Sequence, residues 1–104
     1  MGVDSEVKES VKIQSKSNIK EPKQFRVIYV NDNVTTMEFV IESLVTVFNH
    51  DLITAHEITE KIHTDGSAVV AVLPYEMAEQ RGIEVTMMAR NQGYPLQIKL
   101  EPDV

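Results

Sequence analysis

The 104-residue sequence contains no cysteine, which excludes disulfides, thiolate metal ligands and a cysteine nucleophile. No apolar run approaches membrane-spanning length, and the first residues lack the apolar core of a secretion signal. A cytoplasmic location is therefore expected. Basic charge is also scarce where it matters. Residues 1–22 balance Lys8, Lys12, Lys16 and Lys20 against Asp4, Glu6, Glu9 and Glu21. The remaining chain holds six basic side chains against twelve acidic ones and carries the whole net charge of −6. Such a field repels phosphate backbones, which argues against a nucleic-acid partner and favours cationic ligands. Catalytic signatures are missing too: there is no Gly-x-Ser-x-Gly, Walker loop, His-Glu-x-x-His or Gly-x-Gly-x-x-Gly.

What is present reads as one α+β domain over residues 23–104, preceded by a disordered extension over residues 1–22. That extension has no aromatic residue and too little apolar surface to offset the entropy of ordering it. Phe25-Arg26-Val27-Ile28-Tyr29-Val30 then reads as a strand. Met37, Val40, Ile41, Leu44, Val45 and Phe48 recur at helical spacing, with Thr35 and Glu38 as a capping box. A second helix is expected from a further capping box, Thr54 with Glu57, flanked by Ile53 and Ile58 as a hydrophobic staple and stopped by Gly66.

Ser67–Leu73 is a continuous apolar run of strand length and suggests a central, well-covered strand. Pro74 opens a third helix with Met77, Ala78, Val85, Met88 and Ala89 inward and Gly93 at its end. Gly82 weakens that helix by about 1 kcal/mol relative to Ala. Leu96, Ile98 and Leu100 alternate with polar residues in a last strand. The order is β-α-α-β-α-β, a three-stranded antiparallel sheet packed against helices.

The stretch Asn31-Asp32-Asn33 joins the first strand to the first helix, where unsatisfied polar groups collect. One reading is a turn that caps a helix and does nothing else. A hydrolase lacks a nucleophile set in a motif, and no catalytic residue is assigned. A divalent site on His56, Glu60 and His63, at i, i+4 and i+7, with Asp32 or His50 as a fourth ligand, is a weaker alternative. Amine recognition fits the residue types best. A peptide's free α-amine has a pKa of about 8 and presents a charge with three N–H donors. Gripping it takes convergent acceptors: the side-chain carbonyls of Asn31 and Asn33, the Asp32 carboxylate and a neutral His63. An apolar pocket alongside would hold the first side chain. Binding should then fall as acid protonates the imidazole. No cofactor or metal is implied.

These residues also resemble the ClpS family, the adaptors of the bacterial N-end-rule pathway. The likeness rests on Asn31-Asp32-Asn33, Thr35, Met37-Glu38-Phe39-Val40, Ile62-His63 and Pro95-Leu96, and runs from about Pro22 to Asp103. It implies that Asn31, Asn33 and His63 hydrogen-bond the amine of a substrate beginning with Leu, Phe, Tyr or Trp. It implies a pocket walled by Tyr29, Val30, Thr35, Met37, Val40, Thr59, Ile62 and Leu96, with Met37 as a gatekeeper against β-branched residues. The family docks on the N-terminal domain of a AAA+ unfoldase, ClpA or ClpC, and Glu76 and Arg81 fall where part of that docking surface lies. Residues 1–22 look like the extension engaged during handover to the unfoldase and its protease ClpP.

Two positions depart from the family pattern. Asn33 stands where most members carry Asp, and Thr59 where Met is frequent. The first departure leaves a second reading open, an unfoldase-docking modulator whose N-degron binding is weak or altered.

Overall fold

The structure, a computed structural model, describes residues 23–104; the expected disordered extension at residues 1–22 lies outside the described residues. The elements follow the expected order: β1 (Gln24–Val30), α1 (Met37–Thr46), α2 (Leu52–Asp65), β2 (Ser67–Pro74), α3 (Tyr75–Asn91) and β3 (Gln97–Pro102). The three strands form an antiparallel sheet in the order β2-β1-β3. No helix among the described residues is long and apolar enough to cross a membrane.

The central strand is β1, not the continuous apolar run of β2. Three successive β1 residues, Val27, Ile28 and Tyr29, are buried because strands flank both edges. In β2, by contrast, Val69 and Val72 are each 42% exposed. Their cross-strand partners, Ile28 and Arg26, set them on the sheet face that also carries Gln97, Lys99 and Glu101, all exposed. The expectation of a covered, central β2 is therefore corrected. An apolar run gives strand length but does not say how many neighbours the strand acquires.

Helices cover the opposite face. Tyr29 reaches Ser43 of α1 through a buried 2.7 Å hydrogen bond and meets the Phe48 ring at 6.3 Å. Ser43 spends its only hydrogen on the Val40 carbonyl, so the Tyr29 hydroxyl is the donor between them. Burial raises the Tyr29 pKa strongly, and the Ser43 bond offsets this only in part. On α3, Ala78, Gly82, Val85 and Ala89 face the sheet. A β-carbon at Gly82 would meet Ile98 at 3.6 Å, an ordinary packing distance, so the position has room for Ala and the glycine only lowers helix propensity. Met77 is 41% exposed and does not join the inner face expected of it.

Both expected capping boxes are displaced. The N-cap of α1 is Thr36, whose hydroxyl accepts from the Phe39 N–H at 3.1 Å. The N-cap of α2 is Asp51, whose carboxylate accepts from the Thr54 N–H at 2.7 Å. Ile53 is 73% exposed and staples nothing. The stop at Gly66 is as expected: it takes a left-handed conformation with φ 90° and donates to the Ile62 carbonyl.

Candidate functional site

The loop between β1 and α1 is built by Asp32. Its Oδ1 accepts from the N–H groups of Val34 at 2.8 Å and Thr35 at 2.7 Å, and Oδ2 accepts from the Thr35 hydroxyl at 2.8 Å. This is an Asx turn closed by a second contact, and it bends the chain so that Thr36 arrives at the cap position. The Thr35 hydroxyl and amide both donate to Asp32, and the Phe39 N–H is met by Thr36 instead. Partial burial works to raise the Asp32 pKa. The Thr35 and Val34 hydrogen bonds, with the Arg90 charge, outweigh that and hold the carboxylate below its ordinary value.

Three contacts fix this loop against the rest of the molecule. The Asn31 N–H donates to the Gly66 carbonyl at 2.9 Å, which joins the loop's start to the end of α2. His63 lies in the last turn of that helix, just before Gly66. The Thr36 hydroxyl faces the Tyr94 hydroxyl at 3.4 Å, and the Phe39 and Tyr94 rings meet edge to face at 5.3 Å. Arg90 Nη1 donates to the carbonyls of Tyr94 at 2.8 Å and Leu96 at 2.9 Å, fastening the stretch before β3. A hollow of ≈ 240 Å³ opens at the base of the loop between Val30, Asn31, Asp32, Pro95 and Gln97.

The remaining polar side chains are uncommitted. Asn31, Asn33 and His63 are exposed, and among the described residues their side chains make no hydrogen bond within the chain. The contacts that shape and fasten the loop use Asp32, Thr35, Thr36, Tyr94 and the Asn31 backbone, and none uses the side chain of Asn31, Asn33 or His63. The residues expected to wall the pocket are mostly part of the core. Tyr29, Val40, Ile62 and Leu96 belong to the buried core, Thr59 is buried with its hydroxyl on the Ala55 carbonyl at 2.7 Å, and Met37 is 37% exposed at the helix start. Val30 and Thr35 are half-buried. Glu76 is exposed and Arg81 half-buried in the first half of α3, away from this loop in the chain.

The helix-face metal site does not form. Among the described residues no three His, Asp or Glu side chains converge closely enough to hold an ion. His50 is otherwise engaged, its Nε2 standing 2.7 Å from the Val70 carbonyl.

Thr36, Arg90 and Tyr94 escaped the sequence reading. A cation in the last turn of a helix, ahead of a glycine, is a signal for carbonyl binding and points to Arg90. Nothing in the sequence distinguishes Thr36 from Thr35 as the cap.

The site thus defines a class: a small α+β binding domain that presents free hydrogen-bond acceptors beside an apolar core. Comparison with known proteins narrows the class. The family model of the ATP-dependent Clp protease adaptor protein ClpS matches residues 20–99. The chain is 42% identical over 88 residues to the ATP-dependent Clp protease adapter protein ClpS of Clostridium acetobutylicum, covering 85% of this chain and 87% of that one. It is 41% identical over 83 residues to the protein of the same name from Helicobacter hepaticus, with 80% and 84% covered. A solved structure, Agrobacterium tumefaciens ClpS2 bound to L-phenylalaninamide, superposes with a TM-score of 0.76 at 35% identity, covering 80% of this chain and all of that one. The chain belongs to the ClpS family. Its relatives are named adapters of a protease, and the chain is an adaptor rather than an enzyme.

Proposed function

We propose that the protein binds the free N-terminus of substrate proteins beginning with Leu, Phe, Tyr or Trp and delivers them to a ClpA- or ClpC-type unfoldase for degradation by ClpP. Asn31, Asn33 and His63 accept from the α-amine. Asp32 acts mainly through the loop, since three of its acceptor positions are filled, and adds negative potential beside the amine. The first side chain enters between Met37 and Leu96, over Tyr29, Val40, Thr59 and Ile62, with Val30 and Thr35 at the mouth. Glu76 and Arg81 contribute to docking on the unfoldase N-terminal domain.

The observation that carries this reading is the set of three exposed, unengaged acceptors, Asn31 and Asn33 on the loop and His63 at the end of the helix tied to it. L-phenylalaninamide, seen with the Agrobacterium relative, has a free α-amine, an aromatic side chain and no carboxylate, which is the chemistry of an N-terminal Phe. The neutral Asn33 supports weaker binding than a carboxylate there, because a charge-assisted hydrogen bond exceeds a neutral one by about 1 kcal/mol.

A labelled Leu- or Phe-initiated peptide and its N-acetylated twin test the proposal by fluorescence anisotropy. Saturable binding lost on acetylation, without turnover, is the expected result. Retained docking on the unfoldase with no peptide binding selects the modulator reading instead.

A further inference from the structure

A groove of ≈ 390 Å³ runs between α1 and α2. Its floor is apolar, formed by Ile41, Val45 and Leu52, and its rim carries Glu38, Glu42 and His56. No lysine or arginine lines it. Leu52 is 60% exposed, and Ile53 beside it 73%, so apolar surface at this end faces solvent rather than core.

Both walls lead to the proposed amine site. On α1 the groove begins at Glu38, the residue after Met37. On α2, Leu52 and His56 share a helix face with His63, which falls about three turns beyond Leu52 and two beyond His56, in the direction of the Asn31 loop. The groove is thus placed to receive the chain that follows a first residue held between Met37 and His63. From Glu38 to Val45 the helix rises about 10 Å, the span of about three extended residues.

We infer that the groove is an extended subsite for the residues that follow the first one of the substrate, roughly the second to the fourth, and that it takes an apolar side chain flanked by Lys or Arg. The apolar floor buries the one, and the two glutamates attract the others. This rests on the proposed amine-and-pocket reading and adds to it a preference that reaches beyond the first residue.

The test uses the full chain and three peptides, all starting with Phe: a Phe-Gly amide, a six-residue peptide with Leu between two Lys, and one with Gly between two Glu. The Lys-Leu-Lys peptide is expected to bind about 5- to 20-fold tighter than the Phe-Gly amide, and the acidic one no tighter than it. In Glu42→Lys and Leu52→Ser, both at exposed positions, this gain should fall to about 2-fold while the Phe-Gly amide binds as before. Equal affinity for the three peptides, or a gain that survives both substitutions, overturns the subsite and leaves the amine reading intact. Binding of an N-acetylated Lys-Leu-Lys peptide as strong as that of its free twin overturns the continuity of groove and pocket. Failure of the Phe-Gly amide to bind at all refutes the amine reading, and the subsite with it.

Discussion

Two loops in this protein each deliver the chain into a helix, and they use their polar groups in opposite ways. The connection from α1 to α2 consumes nearly all of its own. Asn49 takes a left-handed conformation at φ 62°, tolerated by its short side chain, and the His50 N–H donates to the Leu44 carbonyl at 3.1 Å. The His50 ring reaches Val70, the extra residue where the β1–β2 register slips between Val27 and Ile28. A bulge breaks the ladder locally, and Nε2–H satisfies the carbonyl there. Asp51 then caps α2. The loop from β1 to α1 achieves the same entry with Asp32 and Thr36 and leaves Asn31 and Asn33 with nothing to hold. Polar residues that fold a loop and polar residues that bind a ligand look alike in sequence; the hydrogen-bond account separates them.

Substitutions sharpen the contrast. The largest effect belongs to the uncommitted acceptors: Asn31→Ala or His63→Ala should weaken binding of a Phe-initiated peptide by about 10- to 100-fold, as for loss of a hydrogen bond to a charge. Thermal unfolding should barely move, and a substantial loss of stability would show that these side chains hold the fold. His50→Ala should do the reverse. It strands the Val70 carbonyl and costs about 1–3 kcal/mol of stability, read by urea denaturation, with peptide affinity unchanged. Thr36→Ala should cost about 1 kcal/mol, whereas the same change at Thr35 disturbs the Asp32 turn and is read in peptide affinity as well.

Asn33→Asp adds a charge to the amine site and should tighten Leu-peptide binding about 5-fold. Unchanged affinity would mean that position 33 does not touch the amine. The smallest effect is acid sensitivity. Asp32 and Asp51 both sit below the ordinary carboxylate range, Asp51 because Thr54 hydrogen-bonds it. The unfolded chain then binds protons first as the pH falls. The stability these groups confer is present above about pH 4 and is lost as acid titrates the folded carboxylates. Asp32→Asn and Asp51→Asn should each flatten the acid limb of a melting-temperature profile between about pH 5 and about pH 2.

The order of elements, the amphipathic faces of α1 and α2 and the Gly66 stop were legible because each depends on periodicity or on one residue's backbone freedom. The gatekeeper position, the pocket list and the docking pair came from likeness to a family and not from the pattern itself. Helix starts were misplaced by one residue at Thr35 and three at Thr54. In both cases an aspartate won the local competition: Asp32 captured Thr35, and Asp51 captured the Thr54 amide. Asp, Thr and Ser all serve as caps, so adjacent candidates are decided by whichever geometry the preceding turn permits.

By itself the sequence determined the class of fold, the acidic character of residues 23–104 and the kinds of polar group available at the β1–α1 loop. These follow from composition and from periods of two and 3.6, which the chain carries locally. Tertiary structure alone decided that β1 rather than β2 is the central strand, that Arg90 fastens Leu96, and that Asn31, Asn33 and His63 remain unspent. Those outcomes depend on which distant groups become neighbours, and a hydrogen-bonding side chain is free or engaged only in relation to them.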